Sequence, residues 1–455
     1  MDLSAQIFRE YDIRGIVGRD LDPSVTRQVG RAYASVMREI VGDGATVVVG
    51  RDNRPHSPDL SAGLVEGLRG AGVNVVDLGT VPTPLVFWAE DRLEADGGIQ
   101  ITGSHNPSEY NGIKMTLQGR SFFGQAIQDL RDRILAGKLL EGAGTLEEQD
   151  VIPTYIEEIS SAFKLRRPIR VVVDCGNGAG SLVAVELLRA IGAEVIPLYC
   201  ESDGTFPNHH PDPTVDEYLA DMMELVRQEK ADLGIAFDGD ADRIGAVDEN
   251  GRVVRGDILL LLFGLDLLDK RGPGQKLVFD VKCSQVLPEV FEAAGGKPIM
   301  WRTGHSHMKA KMKEEDAPLG GELSGHICFA DEYIGIDDAL YDACRLVDLL
   351  ARKGEPFSGM VAKLPVYFST PEIRIDVDEE KKWVVVEKAL EHFKKTHEVI
   401  DVDGARVLFG DGWGLLRTSN TQPVIVARFE ARTESRLKEI QGIMQDWLAT
   451  QGVHV

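Results

Sequence analysis

At 455 residues, with 43% hydrophobic and 27% charged side chains, the chain exceeds what one hydrophobic core serves, so several globular domains are expected. A formal net charge of -23 disfavours nucleic acid and anionic membranes as partners, and an anionic ligand would need a locally basic pocket. Met1 to Gly15 lacks an apolar signal core, the longest apolar run, Ile258 to Phe263, is too short to span a bilayer, and Cys175, Cys200, Cys283, Cys328 and Cys344 include no C-x-x-C pair; the expectation is a cytoplasmic protein with reduced thiols.

In chain order, one pattern occurs three times: a β-branched strand, a turn rich in Gly, Asp, Asn or Lys, an apolar helix and a second strand. In the first copy Thr46 to Val49 precedes Gly50-Arg51-Asp52-Asn53, a helix begins near Ser57, and Val73 to Leu78 returns. Gly97 to Ile101 then reads as a strand entering Thr102-Gly103-Ser104-His105-Asn106-Pro107. A Ser held between Gly and a Pro-ended turn is expected to be exposed and rigidly placed, as a group that accepts and returns phosphate must be. From this segment alone an ordinary turn capped by Ser and Asn is the favoured reading.

The second copy runs from the strand Arg170 to Val173 through Asp174-Cys175-Gly176-Asn177-Gly178 to a helix over Ser181 to Ile191 and a strand over Glu194 to Leu198. His209 and His210, between Pro207 and Pro211, read as a surface turn. Leu233 to Phe237 reads as a buried strand that runs into Asp238-Gly239-Asp240-Ala241-Asp242-Arg243. Carboxylates at alternate positions of an extended segment face one side and call for a hard divalent ion, with Mg²⁺ the best fit. A calcium loop would need Gly where Arg243 stands, and helices where strands are expected. An aspartyl-phosphate nucleophile at Asp238 or Asp240 and a solvated acidic turn remain open from these residues alone.

The third copy has Lys276 to Phe279, Asp280-Val281-Lys282-Cys283, a helix over Gln285 to Ala294 and a strand over Lys297 to Trp301. From about Ser369 the order changes to a strand (Glu372 to Asp376), a helix (Glu379 to Phe393), three short strands and a last helix (Thr433 to Thr450). The fold class is therefore α/β, with three related βαβ-containing mixed-sheet domains and a C-terminal α+β domain with an antiparallel sheet. Boundaries fall near 151, 254 and 368, giving 1–151 with the serine loop, 152–253 with the metal loop, 254–368 and 369–455.

The serine loop and the acidic loop, together with Gly321-Glu322-Leu323-Ser324-Gly325-His326 and Arg417-Thr418-Ser419-Asn420-Thr421-Gln422-Pro423, occur in the order and spacing of the α-D-phosphohexomutases. The chain most resembles the bacterial phosphomannomutase/phosphoglucomutase branch, from Phe8-Arg9-Glu10-Tyr11-Asp12-Ile13-Arg14-Gly15 to the last helix. The resemblance implies a heart-shaped four-domain architecture. It also implies interconversion of hexose 1- and 6-phosphates of mannose or glucose, through a phosphoserine and a reorienting hexose 1,6-bisphosphate.

By the same resemblance Ser104 is the phosphoserine and, with Asp238, Asp240 and Asp242, holds Mg²⁺. Glu322 and Ser324 meet sugar hydroxyls. Arg417, Ser419, Asn420 and Thr421 grip the phosphate that is not transferred, and Tyr11, Arg14, His105, Lys114, Arg243, Lys282, His305 and His326 line the site. His305 is the first candidate for taking the hydroxyl proton, since a neutral imidazole accepts it near pH 7. The alternative for His326 is a role confined to orienting the sugar loop, and Lys282 reads alone as well as a solvated turn lysine. Leu323 stands where related branches carry other residues, so the preferred sugar is less constrained than the reaction. The alternatives are an aminosugar phosphate mutase of the same fold, a HAD-like aspartyl-phosphate phosphatase, and a sugar-phosphate sensor without turnover. Partners reduce to a small phosphosugar, with neither nucleic acid nor membrane; the oligomeric state is left open, a monomer sufficing.

Overall fold

The computed structural model describes residues 4–419 and 423–454. It divides into two compact units, Met1–Leu259 with Ser324–Val361, and Leu260–Leu323 with Ala362–Val455.

In the first unit the leading sheet has the order Ile13–Ile16, Tyr110–Leu117, Gly97–Ile101, Thr46–Arg51, Asn74–Thr80, Leu146–Glu148. Thr46–Arg51 lies parallel to both of its neighbours, whereas Tyr110–Leu117 is antiparallel to Gly97–Ile101 and to Ile13–Ile16, so the sheet is mixed. The central strands are almost wholly buried, as β-branched runs covered on both faces should be. Asp22 starts the helix Pro23–Ile40 by accepting from the Ser24 and Val25 amides, with Pro23 at the first helical position.

A second mixed sheet follows in the order Val253–Val254, Ile244–Asp248, Leu233–Phe237, Arg170–Asp174, Glu194–Leu198. Leu233–Phe237 runs parallel to Arg170–Asp174 and antiparallel to Ile244–Asp248, and the acidic turn joins the antiparallel pair. Strands flank that turn, which removes the calcium-loop reading. The helix expected over Ser181 to Ile191 is broken: a 3₁₀ turn, Ala179–Leu182, and the helix Ala184–Ala190 meet at Val183, whose φ of -133° lies outside the helical range.

In the second unit Lys276–Asp280 pairs in parallel with Lys297–Trp301 and Leu319–Gly321. The C-terminal sheet is antiparallel and ordered Phe368–Ser369, Val424–Ala431, Gly412–Thr418, Ala405–Leu408, Glu398–Ile400, with Ile373–Asp376 also on Val424–Ala431. Among the described residues four strands, not three, lie between the helices Glu379–Phe393 and Glu434–Thr450. The tight turn at Gly410 hides one strand boundary within a short polar stretch. Thr433 caps the last helix through the Arg436 amide.

Candidate active site

Strand Gly97–Ile101 delivers Ser104 three residues beyond its end, and strand Leu233–Phe237 delivers Asp238 at the next position. The two loops touch. An ideal Cβ on Gly239 would sit 2.4 Å from the Ser104 carbonyl oxygen, so no side chain fits there. Ser104 Oγ donates to Asp238 Oδ2 at 2.9 Å and lies 3.1 Å from His105 Nδ1. Ser104 is only 2% exposed, contrary to the expectation of an exposed serine, because the acidic loop packs directly against it. Its φ is +49°, a left-handed conformation costly for a residue with a Cβ.

Asp238, Asp240 and Asp242 are buried, with one oxygen from each lying within 4.8 Å of the others. Asp238 Oδ1 accepts from the Asp242 and Arg243 amides, which curls the turn back on itself around Ala241 at φ +59°. Burial and the charges of Asp240 and Asp242 push the Asp238 carboxyl well above the usual carboxylate range. Lys114, from strand Tyr110–Leu117, donates to Asp240 Oδ2 at 2.8 Å and to Asp242. Burial works against the lysine's charge, but Asp240 and Asp242 outweigh it and raise its pKa. Thr83 Oγ1 also donates to Asp240, at 2.5 Å, while the buried Asp240 Oδ1 has no hydrogen-bond partner among the described residues. Three buried carboxylates, one lysine and an orphaned inward oxygen fit a hard divalent cation with oxygen ligands.

Positive charge surrounds this cluster. Arg14 donates to Asn106 Oδ1 at 2.8 Å and Asp12 Oδ2 at 2.5 Å, which ties strand Ile13–Ile16 to the serine loop. Arg243 Nε donates to His326 Nε2 at 3.0 Å and lies 4.0 Å from Asp238. His326 Nδ1 is 3.3 Å from Asp337 and 3.6 Å from Asp242. Burial first, then Arg243, brings His326 down to about 4 despite Asp337, and burial with Arg243, Arg14 and Lys114 lowers His105 well below its usual value. Both imidazoles are neutral at pH 7. Tyr11 is half-buried in the turn before Ile13, and Ser324 is half-buried beside Gly325, whose carbonyl accepts from the Ile244 amide.

The second unit gathers its own polar set. Glu322 is buried and accepts from the Gly304 amide at 2.5 Å, next to the half-buried His305 that begins helix His305–Glu315. Lys282 is buried rather than a solvated turn lysine, 3.2 Å from Glu372 and 3.8 Å from Asp280. Arg417 Nε donates to Asp403 at 2.9 Å, and buried Lys382 donates to the Ser419 carbonyl at 2.7 Å. Asn420 and Thr421 lie outside the described residues.

Sequence reasoning did not find Arg54, Asp52, Thr83, Asp337 or Lys382, all buried and all bonded to these loops. The His209-His210 segment is a bend beside exposed Pro207 and Asn208, as expected of a surface turn, but both rings are engaged. His209 Nε2 lies 3.0 Å from Asp174, and His210 Nε2 contacts the His105 carbonyl, so neither is a solvated loop residue. The charged pair Asp52 and Arg54, one turn before a helix, was the available signal for part of this set.

Four family models cover this chain. They are described as phosphoglucomutase/phosphomannomutase alpha/beta/alpha domains I, II and III, at residues 5–140, 153–251 and 255–367, and the C-terminal domain at 372–446. A phosphomannomutase/phosphoglucomutase of Pseudomonas aeruginosa is 44% identical, over 98% of this chain and 96% of the relative. A phosphoglucomutase of Neisseria gonorrhoeae is 41% identical over 96% of each. The crystal structure of a phosphoglucomutase/phosphomannomutase family protein from Burkholderia thailandensis superposes with a TM-score of 0.92 at 42% identity, covering 99% of this chain and 98% of that one. With matches along nearly its whole length and a serine loop packed on a buried carboxylate triad, the chain belongs to the phosphoglucomutase/phosphomannomutase family of α-D-phosphohexomutases.

Proposed function

We propose that Ser104 carries the phosphoryl group in the interconversion of hexose 1-phosphate and hexose 6-phosphate, and that mannose and glucose phosphates are both substrates. The observation that supports this most is the 2.9 Å contact of Ser104 Oγ with Asp238 inside the buried triad. In the first half-reaction a sugar hydroxyl oxygen bonds to phosphorus as the bond to Ser104 Oγ breaks, and the product is a hexose 1,6-bisphosphate. The hydroxyl proton goes to a base, for which His305 is the candidate. The departing Ser104 oxygen takes its proton from solvent, and neutral His105, whose Nδ1 lies 3.1 Å from Ser104 Oγ, is placed to accept the proton of the serine hydroxyl when Ser104 attacks the bisphosphate in the return step. The bisphosphate turns end for end and returns its other phosphate to Ser104.

Asp238, Asp240 and Asp242 would hold Mg²⁺, which when bound offsets the charge on the moving phosphoryl group and the serine oxygen. Arg14, Lys114 and Arg243 add fixed positive charge around Ser104. The roles proposed for Glu322 and Ser324 are contacts to the sugar hydroxyls; for Lys282, Arg417, Ser419, Asn420 and Thr421, contacts to the phosphate that is not transferred; and for Tyr11 and His326, lining of the site. Among the described residues no helix is long and apolar enough to cross a membrane, and we propose a cytoplasmic location.

Two measurements test the reading. Peptide mapping of the protein loaded with hexose 1,6-bisphosphate should find acid-stable phosphate on Ser104; an acid-labile acyl phosphate on an aspartate would overturn it. Coupled assays with mannose, glucose and glucosamine 1-phosphates should show the first two turned over within about a thousandfold of each other, roughly 4 kcal/mol. A dominant rate with glucosamine 1-phosphate would replace the substrate assignment.

A further inference from the structure

The guanidinium of Arg54 is fully buried, and each of its five N–H groups is engaged in a hydrogen bond. Nη2 donates to the carbonyls of Ser104 at 2.8 Å and Asn106 at 2.6 Å, Nη1 to those of Pro107 at 2.7 Å and Tyr110 at 3.0 Å, and Nε to Asp52 Oδ2 at 3.2 Å. Asp52 completes the frame by accepting from the Gly103 amide at 3.0 Å and from Ser57. Phe206 covers the guanidinium at 5.1 Å from its ring centroid. The loop is wrapped so closely that a Cβ on Gly103 would lie 2.4 Å from the Arg54 guanidinium carbon.

We propose that Arg54 is a positioning residue for phosphoryl transfer, holding the Ser104 loop in its reactive shape through main-chain carbonyls. Three physical points lead there. Ser104 occupies a left-handed conformation that the loop sequence does not favour, and such a conformation persists only where its surroundings over-determine it. The Ser104, Asn106, Pro107 and Tyr110 carbonyl oxygens, drawn onto one cation, cannot swing toward a dianionic phosphoserine and repel it. A planar fork with five donors can serve four carbonyls and a carboxylate together, which a lysine with three donors cannot. Arg54 touches neither the reacting oxygen nor the carboxylate triad through a hydrogen bond, so its effect passes through the backbone of residues 103–110.

The inference rests on Ser104 being the phosphoryl carrier, and phosphopeptide mapping of the parent tests that separately. The discriminating experiment compares Arg54→Met, Arg54→Lys and Gly103→Ala, the last of which leaves Arg54 in place but forces its guanidinium off the loop. Steady-state kinetics, single-turnover transfer from phosphorylated Ser104, Mg²⁺ affinity and thermal midpoint are measured for each. A displaced reacting group costs about 100-fold in rate, so Arg54→Met and Gly103→Ala should lose kcat on that scale and Arg54→Lys about tenfold. KM for the hexose phosphate should stay within about threefold of the parent, because neither Arg54 nor Gly103 is a proposed substrate contact, and transfer is read at saturating Mg²⁺ because Ser104 is itself a proposed ligand. Should Arg54→Met not fold, the Arg54→Lys and Gly103→Ala data decide alone. The proposal is overturned if kcat in the folded variants remains within about threefold of the parent, if the loss falls on KM instead, or if activity merely tracks the folded fraction.

Discussion

The Ser104 loop of the first unit and the Lys282 loop of the second are built on one device and put to different ends. Each follows a parallel strand, and in each a buried arginine collects main-chain carbonyls. Arg54 takes those of Ser104, Asn106, Pro107 and Tyr110, whereas Arg406 takes those of Val281 at 2.6 Å and Cys283 at 2.8 Å, and Arg428 that of Lys282 at 2.6 Å. Arg54 lies in the loop after strand Thr46–Arg51, which pairs with strand Gly97–Ile101 leading into the loop it holds. Arg406 and Arg428 come from the C-terminal antiparallel sheet, so there the device also joins the two domains of the unit, with Trp413 stacked 3.7 Å from the Arg406 guanidinium and packed on Val281. On the roles proposed above, the loop fixed by its own sheet is the one that carries the phosphoryl group, and the loop fixed by the neighbouring sheet is the one that meets the phosphate not transferred.

If the first loop alone performs chemistry, the largest effects must arise there. Ser104→Ala should lower kcat by about 10⁴-fold or more, since alanine cannot carry phosphate, with the thermal midpoint unchanged. EDTA should abolish activity and Mg²⁺ restore it, and Asp240→Asn should need far more Mg²⁺ for half-maximal rate. Near-normal turnover in purified Ser104→Ala, or full activity in chelator, would erase the distinction between the loops.

Local spacing made one half of this site legible and long-range pairing hid the other. Asp238, Asp240 and Asp242 stand at alternate positions behind an apolar strand, which singled them out, but they converge because the segment curls into a turn around Ala241 rather than running on as the extended strand expected of it; Leu233–Phe237 and Gly97–Ile101 have the bounds expected of them. Arg54 is different. Its partners are backbone carbonyls some fifty residues further on, and no side-chain pattern encodes a main-chain acceptor. Lys114 meets its carboxylates across a separation of 126 and 128 residues, for the same reason invisible from local sequence and placed only by the family resemblance. The broken helix at Val183 and the extra C-terminal strand were missed because apolar spacing signals that an element exists better than where it stops.

Arg406→Met separates the joining role from chemistry. It leaves the carbonyls of Val281 and Cys283 and the side chain of Gln285 without their donor, at a cost of about 3 to 5 kcal/mol. Thermal unfolding should show a lowered transition, while single-turnover transfer from Ser104 in the folded protein keeps its rate. Arg417→Ala should act less on stability and more on binding. Loss of charge-assisted contacts worth about 1.5 to 3 kcal/mol raises KM roughly tenfold to a hundredfold. The bisphosphate would escape before returning its phosphate, so the variant should depend on added hexose 1,6-bisphosphate; unchanged KM and unchanged escape of labelled intermediate would remove Arg417 from phosphate holding.

The smallest expected effect tests how Lys282 is kept charged and in place. Lys282, 3.2 Å away, pulls Glu372 from its ordinary 4.5 down to about 2, even though burial opposes the ionised form. Burial also opposes the lysine's charge, and Glu372 and Asp280 together more than offset it. A carboxyl whose pKa falls on folding contributes stability that is fully present above its unfolded value near 4.5 and is lost as pH drops toward 2. Glu372→Gln should therefore lower the thermal midpoint at pH 7, by an amount corresponding to about 1 to 2 kcal/mol, and this gap should close between pH 4.5 and 2 as the parent's Glu372 takes up its proton. The comparison uses the difference between parent and variant at each pH, so acid destabilisation common to both cancels. A gap that stays constant from pH 7 to 3 would mean that Glu372 acts by packing alone, and that the neighbouring sheet holds the Lys282 loop through Arg406 and Arg428 without help from this ion pair.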